Sequence, residues 1–409
     1  ILLKYQQELL KKIPDFERDA VKKINWDFPL IGLKGPRGVG KTTIMLQQLK
    51  HHPDNGLYFS CDNVFVIEYG LLRLVSDLTI EHGKRFLYID EIHKYPNWSQ
   101  ELKNITDSLP DVHVAISGSS SIDIISEGAD LSRRILLYTI HPLSFREYLS
   151  YYHQISLPPL SLEEIFTDYK RISFDLSPHI RRTNFDDYLS EYAYFYRAQV
   201  KTTDEYRQLL DNAIKKTLYE DIPRIFALES SHLLTLEKIL FLLSNISPSE
   251  MNFSNIGKKV NINPRTAEHY CSILEKTGLV SIIRKYGTIT HTLLKEKKIL
   301  LSNTNLLKFY QHLFGGEPTK GMLREVFFVE CIKRARADIS LHSKQDYLLE
   351  YKGKKVICEV GGRSKKLKKP DANTFVIADD IITGYENRIP LWIFGLIESG
   401  NNSGIVSTK

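Results

Sequence analysis

Nine consecutive residues constrain this 409-residue chain more than anything else in it: Gly35-Pro36-Arg37-Gly38-Val39-Gly40-Lys41-Thr42-Thr43. They fit the spacing G-x-x-x-x-G-K-[ST], a loop that cradles phosphate groups. The flanks are the required ones. Pro29-Leu30-Ile31-Gly32-Leu33 is an apolar run that reads as a strand entering the loop, and Ile44-Met45-Leu46-Gln47-Gln48-Leu49 reads as a helix leaving it. Glycines at 35, 38 and 40 let the backbone curl so that successive N–H groups turn inward, with Pro36, Arg37, Val39 and Thr43 completing the cradle. Lys41 brings a mobile positive charge to the β- and γ-phosphates, and Thr42 brings a hydroxyl for Mg²⁺. A helix starting near Lys41 aims the positive end of its dipole at the same anion. A glycine-rich surface turn would account for the glycines, but not for strand, loop and helix in this order.

A second half-site follows about fifty residues later. Arg85-Phe86-Leu87-Tyr88-Ile89-Asp90-Glu91 is an apolar strand ending in two carboxylates. Side chains alternate along a strand, but where the chain turns at its end both can face a ligand at the carboxyl edge of a parallel sheet. Asp90 is the expected Mg²⁺ residue. Glu91 is the expected base that orients and deprotonates the attacking water. A neighbouring strand, Val112-His113-Val114-Ala115-Ile116-Ser117, ends in a hydroxyl, and Ser117, with Ser119 behind it, is expected to sense the γ-phosphate or hold the water. A serine turn capping the next helix is the plainer account of the same residues.

Length and composition fit several domains with real cores, and the apolar, charged and aromatic fractions are those of an ordinary globular protein. The longest apolar stretches, such as Ile239-Leu240-Phe241-Leu242-Leu243, are too short to span a bilayer. Cys61, Cys271, Cys331 and Cys358 are scattered without metal-binding spacing, which points to a reducing cytoplasm. The net charge of +6 is uneven. Residues 251–300 carry nine Lys/Arg against three Asp/Glu, and residues 331–370 carry twelve against four, so the rest of the chain is acidic. A basic C-terminal half suits a polyanion such as double-stranded DNA, although lysine runs are also ordinary solvated surface.

Strands alternating with helices through the first third imply βαβ units and a mostly parallel α/β sheet. From 186 to about 226 the pattern becomes helical and aromatic, with Tyr188, Tyr192, Tyr194, Phe195 and Tyr196 packing a lid. Residues 253–260 read as a short helix. Asn263 then caps, and Pro264 opens, a second helix that Gly278 ends. Val280 to Arg284 and Ile289 to Leu293 read as strands around Gly287, giving a winged helix-turn-helix in which Arg265, Thr266, His269 and Tyr270 would face a major groove and Lys285 would lie near the wing tip. Such a module also serves protein contacts.

With these pieces the chain resembles the prokaryotic AAA-type ATPases that join a P-loop domain to a winged helix and a restriction-nuclease-like domain. The resemblance is carried by the 35–43 loop, by Tyr88-Ile89-Asp90-Glu91-Ile92 with Trp98, by Ser117-Gly118-Ser119-Ser120, by Arg134, and by Pro142-Leu143-Ser144-Phe145-Arg146-Glu147-Tyr148. It implies that Arg134 contacts the nucleotide or a neighbouring subunit, although Arg133 stands where the family has glycine. A lid signature, Gly-Gly-x-Pro, is missing from residues 191–197. The resemblance also implies a Mg²⁺ nuclease site in the last block. Glu325, read as opening a helix, Asp346 and Glu359 match its carboxylates, but Gly361 stands where a strand Glu-x-Lys needs its lysine; Lys365 or Lys366 would have to reach in from the loop.

The expectation is therefore a P-loop (AAA-type) core over residues 1–185, a helical lid over 186–230, a winged helix over 231–300, and an inactive nuclease-like α+β domain over 301–409. It binds ATP and Mg²⁺, with Lys41, Glu91, Ser117 and Arg134 as catalytic residues, and nucleotide state repositions the C-terminal half on nucleic acid. The alternative is a nucleotide-switched module that binds a protein partner or itself, without DNA contact.

Overall fold

A computed structural model describes residues 2–118, 131, 133–226, 228–248, 252–285, 297–313, 315–367 and 371–400. The chain forms two compact units, Ile1–His141 and Pro142–Gly400.

In the first unit, α1 (Leu2–Leu10) precedes β1 (Leu30–Lys34), α2 (Lys41–Leu49), β2 (Gly56–Ser60), α3 (Val64–Tyr69), α4 (Leu71–Ile80), β3 (Phe86–Asp90), α5 (Trp98–Ser108), β4 (His113–Ser117) and β5 (Leu136–Thr139). The five strands form one sheet in the order β2-β3-β4-β1-β5, every neighbouring pair parallel. Central strands are covered on both faces, so they read as continuous apolar runs rather than alternating ones. Leu30, Ile31 and Leu33 of β1 and Leu87, Tyr88 and Ile89 of β3 are all buried. Each such aliphatic side chain contributes about 2 kcal/mol of hydrophobic stabilisation. Parallel register brings the carboxyl ends of β1, β3 and β4 to one edge, with Leu33 opposite Ser117 and Ile89 opposite Ile116. That edge positions the site.

The second unit begins earlier than the sequence suggested, at Pro142 rather than 186. Its elements are α6 (Phe145–His153), α7 (Leu162–Leu176), α8 (Arg182–Glu191), α9 (Thr203–Lys216), α10 (Ile222–Phe226), α11 (Ser230–Asn245), α12 (Phe253–Val260), α13 (Pro264–Lys276), β6 (Val280–Arg284), β7 (Lys297–Leu301), α14 (Thr304–Leu313), α15 (Lys320–Arg334), β8 (Asp338–Leu341), β9 (Tyr347–Tyr351), β10 (Lys354–Gly361), β11 (Thr374–Ala378) and β12 (Arg388–Pro390). The last five strands make a mixed sheet in the order β12-β11-β10-β9-β8, while β6 and β7 form an antiparallel hairpin.

The early boundary has a packing cause. The motif at 142–148 is a helix start, with Ser144 and Glu147 forming a reciprocal capping box. Buried Arg334 of α15 donates to the carbonyls of Pro142 (2.7 Å) and Leu143 (3.3 Å). Phe145 meets Phe185 edge-on at 5.1 Å, and Phe185 meets Phe327 at 5.1 Å. Tyr188, one of the aromatic residues expected in a lid, also meets Phe327 of α15 edge-on at 6.2 Å. Asn305 fixes it further: its amide donates to the carbonyls of Tyr188 and Leu189, and its oxygen accepts from the Ala193 N–H and the Tyr206 hydroxyl. A buried amide with all these partners specifies one packing.

Asn263 caps α13 by accepting from the Thr266 N–H, and Pro264 opens the helix, as the residues suggested. The β6 partner is Lys297–Leu301; the expected strand at 289–293, with Gly287, lies outside the described residues. Tyr270 is buried on the inner face of α13 and cannot face a groove, because the helix needs that ring in its core. Glu325 lies in the middle of α15, not at its start. All four cysteines are free thiols and buried. Among the described residues no helix is long and apolar enough to cross a membrane.

Candidate active site

The loop between β1 and α2 has the conformation its glycines permit. Gly38 (φ 81°) and Gly40 (φ 90°) lie in the left-handed region, and Gly40 is the residue from which α2 starts. At Gly35 the limit is space: a Cβ there would stand 2.2 Å from the carbonyl oxygen of Ile140. Lys41 is buried at the first position of α2 and donates to the carbonyls of Gly35 and Pro36, each at 2.9 Å. Its ammonium therefore lies within the loop it serves. Buried Arg18 braces the loop from outside, donating to the Val39 carbonyl at 2.7 Å and the His141 carbonyl at 3.0 Å.

Asp90, at the carboxyl end of β3, is buried and held by four donors. Thr42 Oγ1 (2.5 Å) and the Tyr58 hydroxyl (2.9 Å) donate to Oδ2. The Ser117 hydroxyl and the Glu91 N–H (3.1 Å) donate to Oδ1. The ends of β3 and β4, the middle of β2 and the first turn of α2 thus converge on one carboxylate. Burial, and then Asp90 itself, push the Tyr58 phenol far above its ordinary range, so its hydroxyl remains a proton donor.

Glu91 occupies the left-handed region (φ 50°, ψ 40°), which is uncommon for a residue with a side chain. This turn breaks strand alternation and frees Glu91 to lie beside Asp90. Its Oε2 is 3.3 Å from His93 Nε2 and 3.8 Å from the Arg37 guanidinium. Glu91 remains about a quarter exposed while Asp90 is enclosed. One carboxylate is enclosed and the other is partly exposed.

The structure therefore brings together Lys41, Thr42, Asp90, Glu91 and Ser117, with Gly35, Pro36, Arg37, Gly38, Val39, Gly40 and Thr43 in the loop around them. Arg134 is not among them: its guanidinium pairs with Asp107 of α5 at 3.0 and 3.3 Å. Ser119 lies outside the described residues. Three residues escaped the sequence reading, Tyr58, Arg18 and His93. For Tyr58 a signal existed, since a tyrosine in a fully buried strand needs a partner for its hydroxyl. For Arg18, in an irregular segment, there was none. A hydroxyl and a carboxylate meeting beside a glycine-rich loop at a helix N-terminus suit a hard, oxygen-preferring cation and a phosphate chain.

Residues 27–149 match the family model described as an AAA domain. The first unit carries an AAA-type P-loop ATPase domain, and the match supports a nucleotide-binding ATPase. Residues 192–315 match a domain of unknown function. An uncharacterized protein of Methanocaldococcus jannaschii is 27% identical over 316 residues, covering 73% of this chain. The match spans 66% of that relative's own length, just under two thirds. Among solved structures, the Thermotoga maritima RuvB Holliday junction branch migration motor aligns over 77% of this chain and 95% of its own, at 16% identity and a TM-score of 0.27. The S. cerevisiae Hsp104–ADP complex aligns over 67% of this chain and 41% of its own, at 14% identity and a TM-score of 0.31.

Proposed function

We propose that this chain is a Mg²⁺-dependent ATPase whose nucleotide state acts on the C-terminal unit. One observation carries the reading. Thr42 and Asp90, 48 residues apart, meet beside the phosphate loop at 2.5 Å. Together they offer the hydroxyl and carboxylate oxygens that would hold Mg²⁺. When bound, that ion supplies positive charge to the phosphate oxygens as the terminal group leaves. Lys41 turns from the loop carbonyls to the β- and γ-phosphates. Glu91 takes the proton of the attacking water, oriented by His93 and Arg37. Ser117 keeps the Asp90 carboxylate aligned and senses the γ-phosphate. Arg134 acts on the nucleotide or a neighbouring subunit. Its pair with Asp107 joins two exposed groups, is worth about 0–1 kcal/mol, and is easily given up.

For the second unit we propose a winged helix (α12, α13 and the β6–β7 hairpin) and a non-cleaving nuclease-like sheet, associated with double-stranded DNA in the cytoplasm. The exposed Arg265 and His269 on α13 and the basic balance of residues 251–300 and 331–370 support this. The competing reading is a nucleotide-switched protein-interaction or self-associating module. Buried Tyr270 favours it, and so does the bridge from Lys285 to Leu341, which ties the hairpin to the C-terminal sheet. ATP turnover with and without duplex DNA tests the proposal. Stimulation by DNA that falls with salt supports DNA association; turnover indifferent to DNA favours the interaction module.

A further inference from the structure

Three carboxylates converge in the second unit where β9, β10 and α15 meet. Glu325 comes from α15, Asp346 precedes β9, and Glu359 lies on β10. Two backbone N–H groups and a tyrosine hydroxyl hold them in place. The Asp346 N–H donates to Glu359 Oε2 at 3.1 Å, the Val360 N–H donates to Asp346 Oδ2 at 2.9 Å, and the Tyr347 hydroxyl donates to Glu325 Oε2 at 2.8 Å. Carboxylates this close and this enclosed require positive charge.

That charge comes from two lysines. Lys298, on β7 of the hairpin, is buried. Its ammonium lies 2.5 Å from Glu325 Oε2 and 3.6 Å from Asp346 Oδ1, and 4.9 Å from the centre of the Tyr347 ring. Lys365, from the loop after β10, lies 2.9 Å from Glu359 Oε1. Its stem fills the space over Gly361, where a Cβ would come within 2.9 Å of it. Two ammonium groups against three carboxylates leave a formal charge of −1. No group of three or more metal-ligating side chains arranged for an ion occurs among the described residues.

We propose that the Lys298 ammonium is a tethered cation standing where a divalent metal would otherwise bridge Glu325 and Asp346. The cluster is then a metal-independent staple between the β6–β7 hairpin and the C-terminal sheet. It binds the two into one body and keeps Mg²⁺ out. The inference rests on the ion pairs themselves and is independent of the nucleotide site. Removing Lys298 takes the cluster to a formal −2, the charge a divalent cation matches.

The test uses the full chain without nucleotide, with Mn²⁺ as the probe. Mn²⁺ binding is followed by electron paramagnetic resonance and stability by thermal melting, in the parent, Lys298→Met, Lys298→Arg and Lys298→Met/Asp346→Asn. Any binding at Asp90 is common to all four. Lys298→Met should melt lower than the parent, gain at least ~10-fold in Mn²⁺ affinity, and recover stability when Mn²⁺ is added. Lys298→Arg should behave as the parent, and the double variant should lose the Mn²⁺ response. If Lys298→Met folds only with Mn²⁺ present, the proposal also stands. It is overturned if Lys298→Met gains no Mn²⁺ site, if it fails to fold with or without the ion, or if the parent already holds a Mn²⁺ that Asp346→Asn removes.

Discussion

The Thr42 hydroxyl donates to Asp90 at 2.5 Å, joining the first turn of α2 to the end of β3. Tyr58, on the neighbouring strand, donates to the same oxygen at 2.9 Å. The two donors differ in what they do for a metal. Thr42 is an oxygen ligand in its own right, whereas Tyr58 only aligns the carboxylate.

Their variants should therefore separate. Thr42→Ala should weaken Mg²⁺–ATP binding by about 10-fold or more while leaving metal-free ATP binding nearly unchanged. Tyr58→Phe leaves the ligand set intact and removes one buried hydrogen bond, costing about 1 kcal/mol of stability with a smaller effect on Mg²⁺ dependence. Calorimetric titration of ATP with and without Mg²⁺ checks both. Equal losses with and without the metal in Thr42→Ala would contradict its role.

Stability should carry a pH signature from the second unit. Burial pushes the Glu330 carboxyl up to about 7, with the neighbouring Arg334 pulling the other way. A carboxyl raised above its ordinary value of 4.5 favours the protonated folded state. Its contribution is complete below that value and is lost as pH rises through about 7. The loss should be at most about 3 kcal/mol. Glu330→Gln mimics the protonated form and should flatten the fall. Urea denaturation at pH 5 and pH 8 measures it; an unchanged slope in Glu330→Gln would place the titration elsewhere.

Binding of duplex DNA should depend on the exposed face of α13 and on the hairpin. Arg265→Glu with Lys285→Glu should reduce affinity and flatten its dependence on salt. Fluorescence anisotropy with a labelled duplex follows this. No binding to any duplex at low salt would favour the protein-interaction reading.

The C-terminal sheet should not cut DNA. Plasmid incubated with Mg²⁺ or Mn²⁺ should show no cleavage above background, in the parent and in Glu359→Ala alike. Cleavage that disappears in Glu359→Ala would instead make Lys365, which already touches Glu359, a catalytic lysine.

Legibility followed locality. The phosphate loop, the strand before it and the turn at Asp90-Glu91 were readable because glycine geometry and apolar runs are written in neighbouring residues. The cap at Asn263 and the helix from Pro264 were readable for the same reason. A turn at Glu91 was implied by the need for both carboxylates to face one way, but its left-handed conformation was not. What escaped depends on distant contacts. Tyr58 meets Asp90 only once β2 lies beside β3. The unit boundary at 141 depends on Arg334 reaching back to Pro142 and Leu143, almost 200 residues away in sequence. Tyr270 read as exposed because helical spacing gives a face without saying which way that face turns. Lys298 carried no signal at all, being one lysine in a basic stretch until the fold set it between Glu325 and Asp346.

The central claim, that the first unit binds and hydrolyses ATP, is tested most directly by measuring ATP binding and turnover together in the parent, Lys41→Ala and Glu91→Gln. Lys41→Ala should lose binding, because the β- and γ-phosphates lose the loop's ammonium. Glu91→Gln should bind ATP as the parent does but turn over roughly 10²-fold more slowly or worse, since an amide cannot accept the proton of the attacking water. Parent-like ATP binding in Lys41→Ala, or parent-like turnover in Glu91→Gln, would contradict the account.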